Sequence, residues 1–310
     1  MPVRRTVAHK RPFPWHIVVF LAPAVLIYTV FMVYPLVDSL RLSFFTQDEH
    51  DVETFAGLQN YVRLLTDANW APAFWNAFKN NLVFFAVHMV VQNSIGLLLA
   101  ALLTSRGRGR GVYRTLIFTP TLLSVVIIGF IWQLILNPLW GIAHSLLQGI
   151  GQAQLFKPWL GLPETALITL ALISVWQFVG IPMMLFYAAL IGIPEELTDA
   201  ARVDGASPWA IFWRIKFPLI LPTVGIVGIL TFVGNFNAFD LIYTVKGALA
   251  GPNFATDIMG TLFYRTFFGF QLQLGNPTMG ATVSTMMFLI ILCGVAIYFA
   301  WNRQVQTYEL

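Results

Sequence analysis

Charge is what this sequence has least of. Only 10% of its residues are Asp, Glu, Lys or Arg, where a soluble globular domain carries about 25%. With 57% hydrophobic residues and a mean hydropathy of +0.72, that deficit excludes a soluble fold and makes the chain an integral membrane protein. Cysteine is nearly absent. Cys293 is the single example and lies in an apolar run, which removes intramolecular disulfides and thiolate metal clusters from consideration. The five histidines, at 9, 16, 50, 88 and 144, show no ligand spacing. There is no G-x-x-x-x-G-K-[ST] phosphate loop. The nearest glycine-rich stretch, Gly107 to Gly111, lacks the lysine–hydroxyl end and reads as a flexible basic turn. No Ser/His/Asp set or carboxylate pair stands out, so the chain is not expected to be an enzyme, and no metal or cofactor is expected on it.

What is present is a series of long apolar runs. A hydrocarbon core of roughly 30 Å takes about 20 apolar residues of helix. The segments 16–37, 80–104, 115–136, 165–192, 218–241 and 280–301 meet that length, and each is too long for a barrel strand. The fold class is therefore all-α, a polytopic bundle of six membrane helices. The run from Ile17 to Val37 is too long for a signal peptide and has no small-residue cleavage site after it, so it reads as a retained first span. Ahead of it, residues 1–15 form a basic N-terminus. Residues 16–79 hold the first span and an external segment, 80–303 the remaining spans, and 304–310 a short tail.

Orientation follows from the cations. Arg4, Arg5, Lys10, Arg11, Arg106, Arg108, Arg110, Arg114, Arg202, Arg214, Lys216 and Arg303 fall on one side. Arg41, Arg63, Lys79, Lys157, Lys246 and Arg265 are spread over longer loops on the other. The excess of basic residues belongs in the cytoplasm, which puts both termini inside. The acidic run Asp48, Glu49, Asp51 and Glu53 falls outside. The net charge of +4 thus reports membrane orientation, with no nucleic-acid partner implied.

Buried ionisable groups, the mark of proton-coupled carriers, are almost missing from the spans; Asp240, near the outer end of the fifth, comes nearest. Neutral polar residues do occur at depth: Gln92, Asn93, Gln133 and Gln177, then Thr231, Asn235 and Asn237 close to Gly234, a residue able to loosen its helix. Trp132, Trp176, Phe178, Phe236 and Phe239 accompany them. Amides with aromatic faces suit a neutral polyol; amides that bridge helices are the plainer reading. His88 reads as a hydrogen-bonded packing residue.

The most informative stretch is polar and lies between the fourth and fifth spans, at 194–218. Pro194 with Glu195 and Glu196 suits a helix start. Gly205 supplies a left-handed stop, and Ser207-Pro208 an N-cap followed by proline in the first turn. A second helix would then run past Trp209, Phe212 and Trp213 to end near Phe217-Pro218. Two short helices at a glycine elbow make a rigid protrusion for docking in the cytoplasm; an amphipathic loop lying on lipid headgroups is the alternative.

In sequence the insert reads Asp199-Ala200-Ala201, Asp204-Gly205-Ala206, Phe212, Ile215 and Leu221-Pro222. It resembles the EAA coupling loop of ABC-importer permeases, with Asp in place of the usual first Glu. The flanks resemble the carbohydrate branch of that family, specifically its maltose-type, MalF-like permeases. Leu21-Ala22-Pro23, Tyr34-Pro35, Gly57 to Tyr61, Phe74 to Asn80 and Gly251-Pro252 with Thr256-Asp257 carry that likeness. The resemblance implies a sugar importer's permease subunit in the bacterial or archaeal cell membrane. It implies partners as well: an ATPase dimer that binds ATP and Mg, a second homologous permease, an external solute-binding protein and the surrounding lipid. The family holds sugar at positions matching Ser174, Gln177, Phe178, Thr231, Gly234 and Asn235, while one family amide falls on Ala238. The alternative is a self-contained secondary carrier or channel, which would need an internal repeat or ion-coupling residues within the spans.

Overall fold

The computed structural model describes residues 15–47, 52–104, 109–271 and 274–302. Of the residues read above, Arg4, Arg5, Lys10, Arg11, Asp48, Glu49, Asp51, Arg106, Gly107, Arg108, Arg303 and the tail lie outside the described residues. Among the described residues, four helices are long and apolar enough to cross a membrane: Ile17–Leu42, Ala71–Thr104, Leu221–Lys246 and Pro277–Ala300. Two further pairs qualify only when each is taken as one broken span. Arg110–Leu122 meets Val125–Ile135 at 96°, and Pro163–Phe178 meets Gly180–Ile191 at 44°. The third and fourth expected spans are therefore not straight rods, and the span total lies between 4 and 6. The sharper bend lies at Leu123 and Ser124, where ψ swings to 145° and 133°, just after a 3-10 turn, Thr119–Leu122, that contains Pro120.

The helix Ala71–Thr104 organises the others. It begins well before residue 80, so the expected boundary between external segment and membrane core falls inside it, and π-helical geometry interrupts it at His88–Gln92. Gly96 lets the neighbouring helix close in: a Cβ there would lie 3.1 Å from the Met183 nitrogen and 3.2 Å from Pro182. Ala100, Leu103, Met183, Phe186, Leu190, Ile220 and Val227 form one apolar cluster at that contact. A second, with Phe84, Ile128, Leu170, Ile173 and Ile242, packs around the bends. The third, with Leu64, Phe74, Met259, Leu262 and Met279, lies under the segment before the long helix. By contrast, Ile17–Leu42 is covered along none of its most apolar window.

The external segment contains a small antiparallel ribbon, Phe45–Gln47 against Glu53–Phe55, with Thr46 opposite Thr54. It is the one strand pair among the described residues and an addition to the all-helical expectation. Asn60 locks it by donating to the carbonyls of Ser43 at 3.0 Å and Phe45 at 2.7 Å. Three further asparagines on the long helix grip the loop after Gly247. Asn76 donates to Phe254 O at 2.8 Å and Asn80 to Asp257 O at 2.8 Å. Asn81 accepts from Met259 N at 2.7 Å.

That loop is held from its other side by a buried ion pair. Arg265 meets Asp257 through two contacts of 2.6 and 3.1 Å, with side chains only 7% and 1% exposed. Thr261 adds a bond of 2.7 Å to the same carboxylate and Arg265 another of 3.0 Å to Ala248 O. Arg265, one of the six cations read on the less basic side, is committed to this contact. Breaking a buried pair leaves the other charge uncompensated. We expect Asp257→Ala to lower stability by about 3–5 kcal/mol, read as the unfolding midpoint in detergent. The double replacement Asp257→Leu with Arg265→Met should recover most of that loss, and failure to recover would assign the cost to packing.

Candidate functional site

Two regions gather the residues singled out above. The first is a cavity of about 450 Å³, within the range that small-ligand sites occupy. Its walls come chiefly from three elements, with Val125 of the 96° pair beside them. The long helix supplies Phe84, His88 and Gln92, and the bent pair supplies Ser174, Phe178 and Pro182. From Leu221–Lys246 come Thr231, Gly234, Asn235, Asn237, Phe239 and Asp240. The π turn at His88–Gln92 widens the helix by one residue per turn, a distortion that recurs at functional sites.

Six expected pathway residues are brought together here: Ser174, Phe178, Thr231, Gly234, Asn235 and Asn237. Gln177 is not among them. It is fully buried and donates its side-chain amide to Leu123 O at 3.1 Å, while its backbone carbonyl accepts from Thr121 Oγ1 at 2.9 Å and its Oε1 is buried without a partner. Both partners sit at the 96° bend, where helix hydrogen bonding lapses and a low-dielectric interior leaves carbonyls unpaired at high cost. Gln177 therefore ties one bend to the other and does not face the cavity. Gly234 is corrected as well. It lies within the intact helix Leu221–Phe236, and the break comes later, at Asn237–Phe239.

Of the aromatics, Phe178 and Phe239 line the cavity. Phe236 is fully buried beneath Phe232 and Phe78, and Trp132 packs edge-on against Trp176 at 5.7 Å. Gln133 bridges helices, donating to Thr244 O and Val245 O. His88 and Gln92 are the residues that sequence reasoning passed over as cavity wall. His88 is hydrogen-bonded, as expected, to Phe84 O at 2.8 Å through Nδ1 and to Ser174 Oγ at 3.0 Å through Nε2. The available signal was its place four residues before Gln92 on one helix face.

The second region is the polar insert. Glu195–Val203 forms the first helix, with Pro194 as its N-cap. The Ala206 N–H reaches Ala201 O at 2.9 Å and the Gly205 N–H reaches Arg202 O at 3.0 Å. That bond pair is a Schellman stop, with Gly205 at φ +79°. Ser207 caps the next helix by accepting from Ala210 N at 3.3 Å. This helix runs from Pro208 through a π turn, Phe212–Lys216, and passes Phe217–Leu219 to turn at Ile220 into the following span. It thus continues past its expected end, in near-continuity with that span. Ile215 lies in its π turn and Pro222 in the first turn beyond.

Ala201 and Ile211 are buried, anchoring the insert, whereas Asp199, Ala200, Asp204 and Gly205 are exposed. Asp199 pairs with Arg202 at 2.7 Å on the surface. Val203 and Trp209 stand out at 88% and 73% exposure, an apolar edge that suits contact with another surface. Between the insert and the ends of three neighbouring helices lies a groove of about 680 Å³, lined by Thr104, Arg110, Leu190, Glu195, Asp199 and Arg202 among others.

The two bent pairs touch at Gly180, where a Cβ would fall 2.9 Å from Phe118 Cα and 3.1 Å from Ile117 O. Backbone cannot step aside there. Gly180→Ala should cost about 1–3 kcal/mol, whereas Gly149→Ala, in open space, should stay within about 0.5 kcal/mol or gain slightly. Thermal unfolding of the two purified variants compares them directly; equal midpoints would mean that the bends are not in load-carrying contact.

Comparison with known proteins follows from this geometry. The family described as "Binding-protein-dependent transport system inner membrane component" matches residues 92–307. The probable ABC transporter permease protein YurN of Bacillus subtilis (strain 168) is 34% identical over 252 residues, 80% of this chain and 84% of YurN. The lactose transport system permease protein LacF of Rhizobium radiobacter is 30% identical over 273 residues, 88% of this chain and 89% of LacF. Among solved structures, a bacterial ABC transporter that imports the acidic polysaccharide alginate shares the fold at TM-score 0.78. It is 21% identical, with 94% of this chain and 96% of that chain covered.

Proposed function

The chain belongs to the family of binding-protein-dependent transport system inner membrane components, and from that membership we propose that it is the membrane-spanning permease subunit of an ATP-driven importer for a sugar or oligosaccharide. The observation that carries the reading is the two-helix elbow at Gly205, with its buried anchor and exposed apolar edge. An ATPase subunit offers a groove for such an element, and two of them closing on ATP and Mg would push it. The same chain holds a mostly apolar, aromatic-flanked cavity with a few amides and hydroxyls in its wall, and its relative LacF is named for lactose transport. Those two facts support sugar as the cargo. A second permease completes the pathway, an external binding protein delivers the sugar, and the elbow and both termini face the cytoplasm. ATP hydrolysis belongs to the partner.

The helix Ala71–Thr104 supplies the mechanical link. Thr104 borders the insert's groove and Gln92 borders the cavity, which puts the two about 18 Å apart along a helix rising 1.5 Å per residue. A push at the elbow moves the cavity wall as one body with it.

Affinity purification of the tagged chain from its own membrane, with mass spectrometry, tests the assembly. Recovery with an ATPase, a second permease and an external binding protein is expected; recovery alone or as a homo-oligomer would sink the reading. Gly205→Val tests the elbow. A β-branched residue held at positive φ costs about 1–2 kcal/mol, about tenfold in the docked population. The variant should insert and assemble, with ATP-driven uptake reduced by about that factor and hydrolysis persisting. Uptake at the wild-type rate would remove the docking role.

A further inference from the structure

The connection between the two bent pairs carries an apolar side that the fold leaves exposed. Between Arg114 and Lys157 the sequence has no Asp, Glu, Lys or Arg. The membrane helix Val125–Ile135 accounts for only part of that run, and the charge-free character continues well beyond its end. There the chain turns sharply. Asn137 Oδ1 accepts from Leu139 N at 2.9 Å and from Trp140 N at 3.3 Å. Gly141 is pressed against the turn: a Cβ on it would lie 2.4 Å from Asn137 O and 2.6 Å from Ile135 O.

The helix Ile142–Gly149 follows at once, and its three sides differ. Ala143 packs on the apolar cluster around the bends, with Leu147 half-buried on the same side. Ser145 and Gln148 form an exposed polar side. On the remaining side Ile142, Leu146 and Ile150 recur at every fourth residue, with Leu139 ahead of them, all between 60% and 83% exposed. Two observations say what covers this stripe. It continues along the chain from the exposed apolar side of the span, Val126, Ile127, Phe130 and Leu134. Trp140 stands at the junction, exposed, as tryptophans do at a membrane–water boundary. A soluble partner, by contrast, is steered and held in register by charge, and the stripe and its flanks offer none.

We propose that Leu139, Ile142, Leu146 and Ile150 seat this helix in the acyl–headgroup boundary of the outer leaflet, an uncharged lipid contact that anchors the outer end of the cavity wall. The choice of leaflet rests on the importer reading; the contact goes beyond it. The anchored connection and the span before it are tied to that wall. Gln133 donates to Thr244 O at 3.3 Å and to Val245 O at 3.1 Å, and Lys246 Nζ donates to Leu160 O. Thr244, Val245 and Lys246 belong to the helix Asp240–Lys246, whose first residues, Asp240, Leu241 and Ile242, border the cavity. Held at one depth by lipid, this end of the wall is the fixed point against which a push at the elbow works.

The test places the full chain, with the partners that copurify, in phosphatidylcholine nanodiscs. Part of the lipid carries a nitroxide on its acyl chain near the headgroup. In a Cys293→Ser background, Leu146→Cys and Gln148→Cys each receive an environment-sensitive fluorophore, and a water-soluble nitroxide gives the opposite readout. The label at position 146 should be quenched by the lipid nitroxide. It should be about tenfold better screened from the aqueous one than the label at 148, the population ratio that burial of one leucine supports. Equal aqueous quenching at the two positions would overturn the proposal and leave the stripe to a soluble partner. Screening at 146 without lipid quenching would overturn it too, and would assign the stripe to a second membrane subunit. Ile142→Cys, one turn earlier on the same side, repeats the measurement should Leu146→Cys fail to fold. The readout needs no transport, so its failure leaves the importer reading standing. Absence of an ATPase among the partners, which would sink that reading, leaves the lipid contact untouched.

Discussion

A carbonyl that leaves a helix inside hydrocarbon has no water to turn to, and much of this structure is arranged around that constraint. Helical hydrogen bonding lapses at the 96° bend near Leu123 and at the 44° bend near Val179. The two lapses are placed against each other so that they share partners. Gln177 serves Leu123 O, Thr121 serves Gln177 O, and Gly180 removes the side chain that would hold the bends apart. Asn81 does similar work near the third break, donating to Asn235 O at 2.9 Å. The breaks are affordable only because amides stand beside them, and the cavity lies where the broken helices no longer fill the space.

The amides thus divide into two populations that look identical in the sequence. Gln133, Gln177, Asn80 and Asn81 are structural, each committed to a backbone group on another element. Gln92, Asn235 and Asn237 border the cavity. The division is enforced by geometry: residues opposite a lapse in helical bonding are captured by it. Those opposite intact helix are left to face whatever enters the space between.

This explains what could be read from the chain and what could not. The insert was legible nearly residue by residue because its signals are local. Gly205 stops a helix through its own φ, and Ser207 caps the next through a bond three residues away. The long apolar runs were legible because length and composition suffice. The 96° bend was not, because Pro120 announces a break without giving its angle. That Gln177 turns away from the cavity was not legible, because the carbonyl that takes its amide, Leu123 O, comes from a distant segment. Gly234 drew attention as a flexible point, yet a glycine inside a helix with both flanks bonded stays helical. The Asp257–Arg265 pair was hidden because a count of cations by side says nothing of their partners. The helix that begins at Met259 carries Arg265 back over the loop it follows, a tertiary fact.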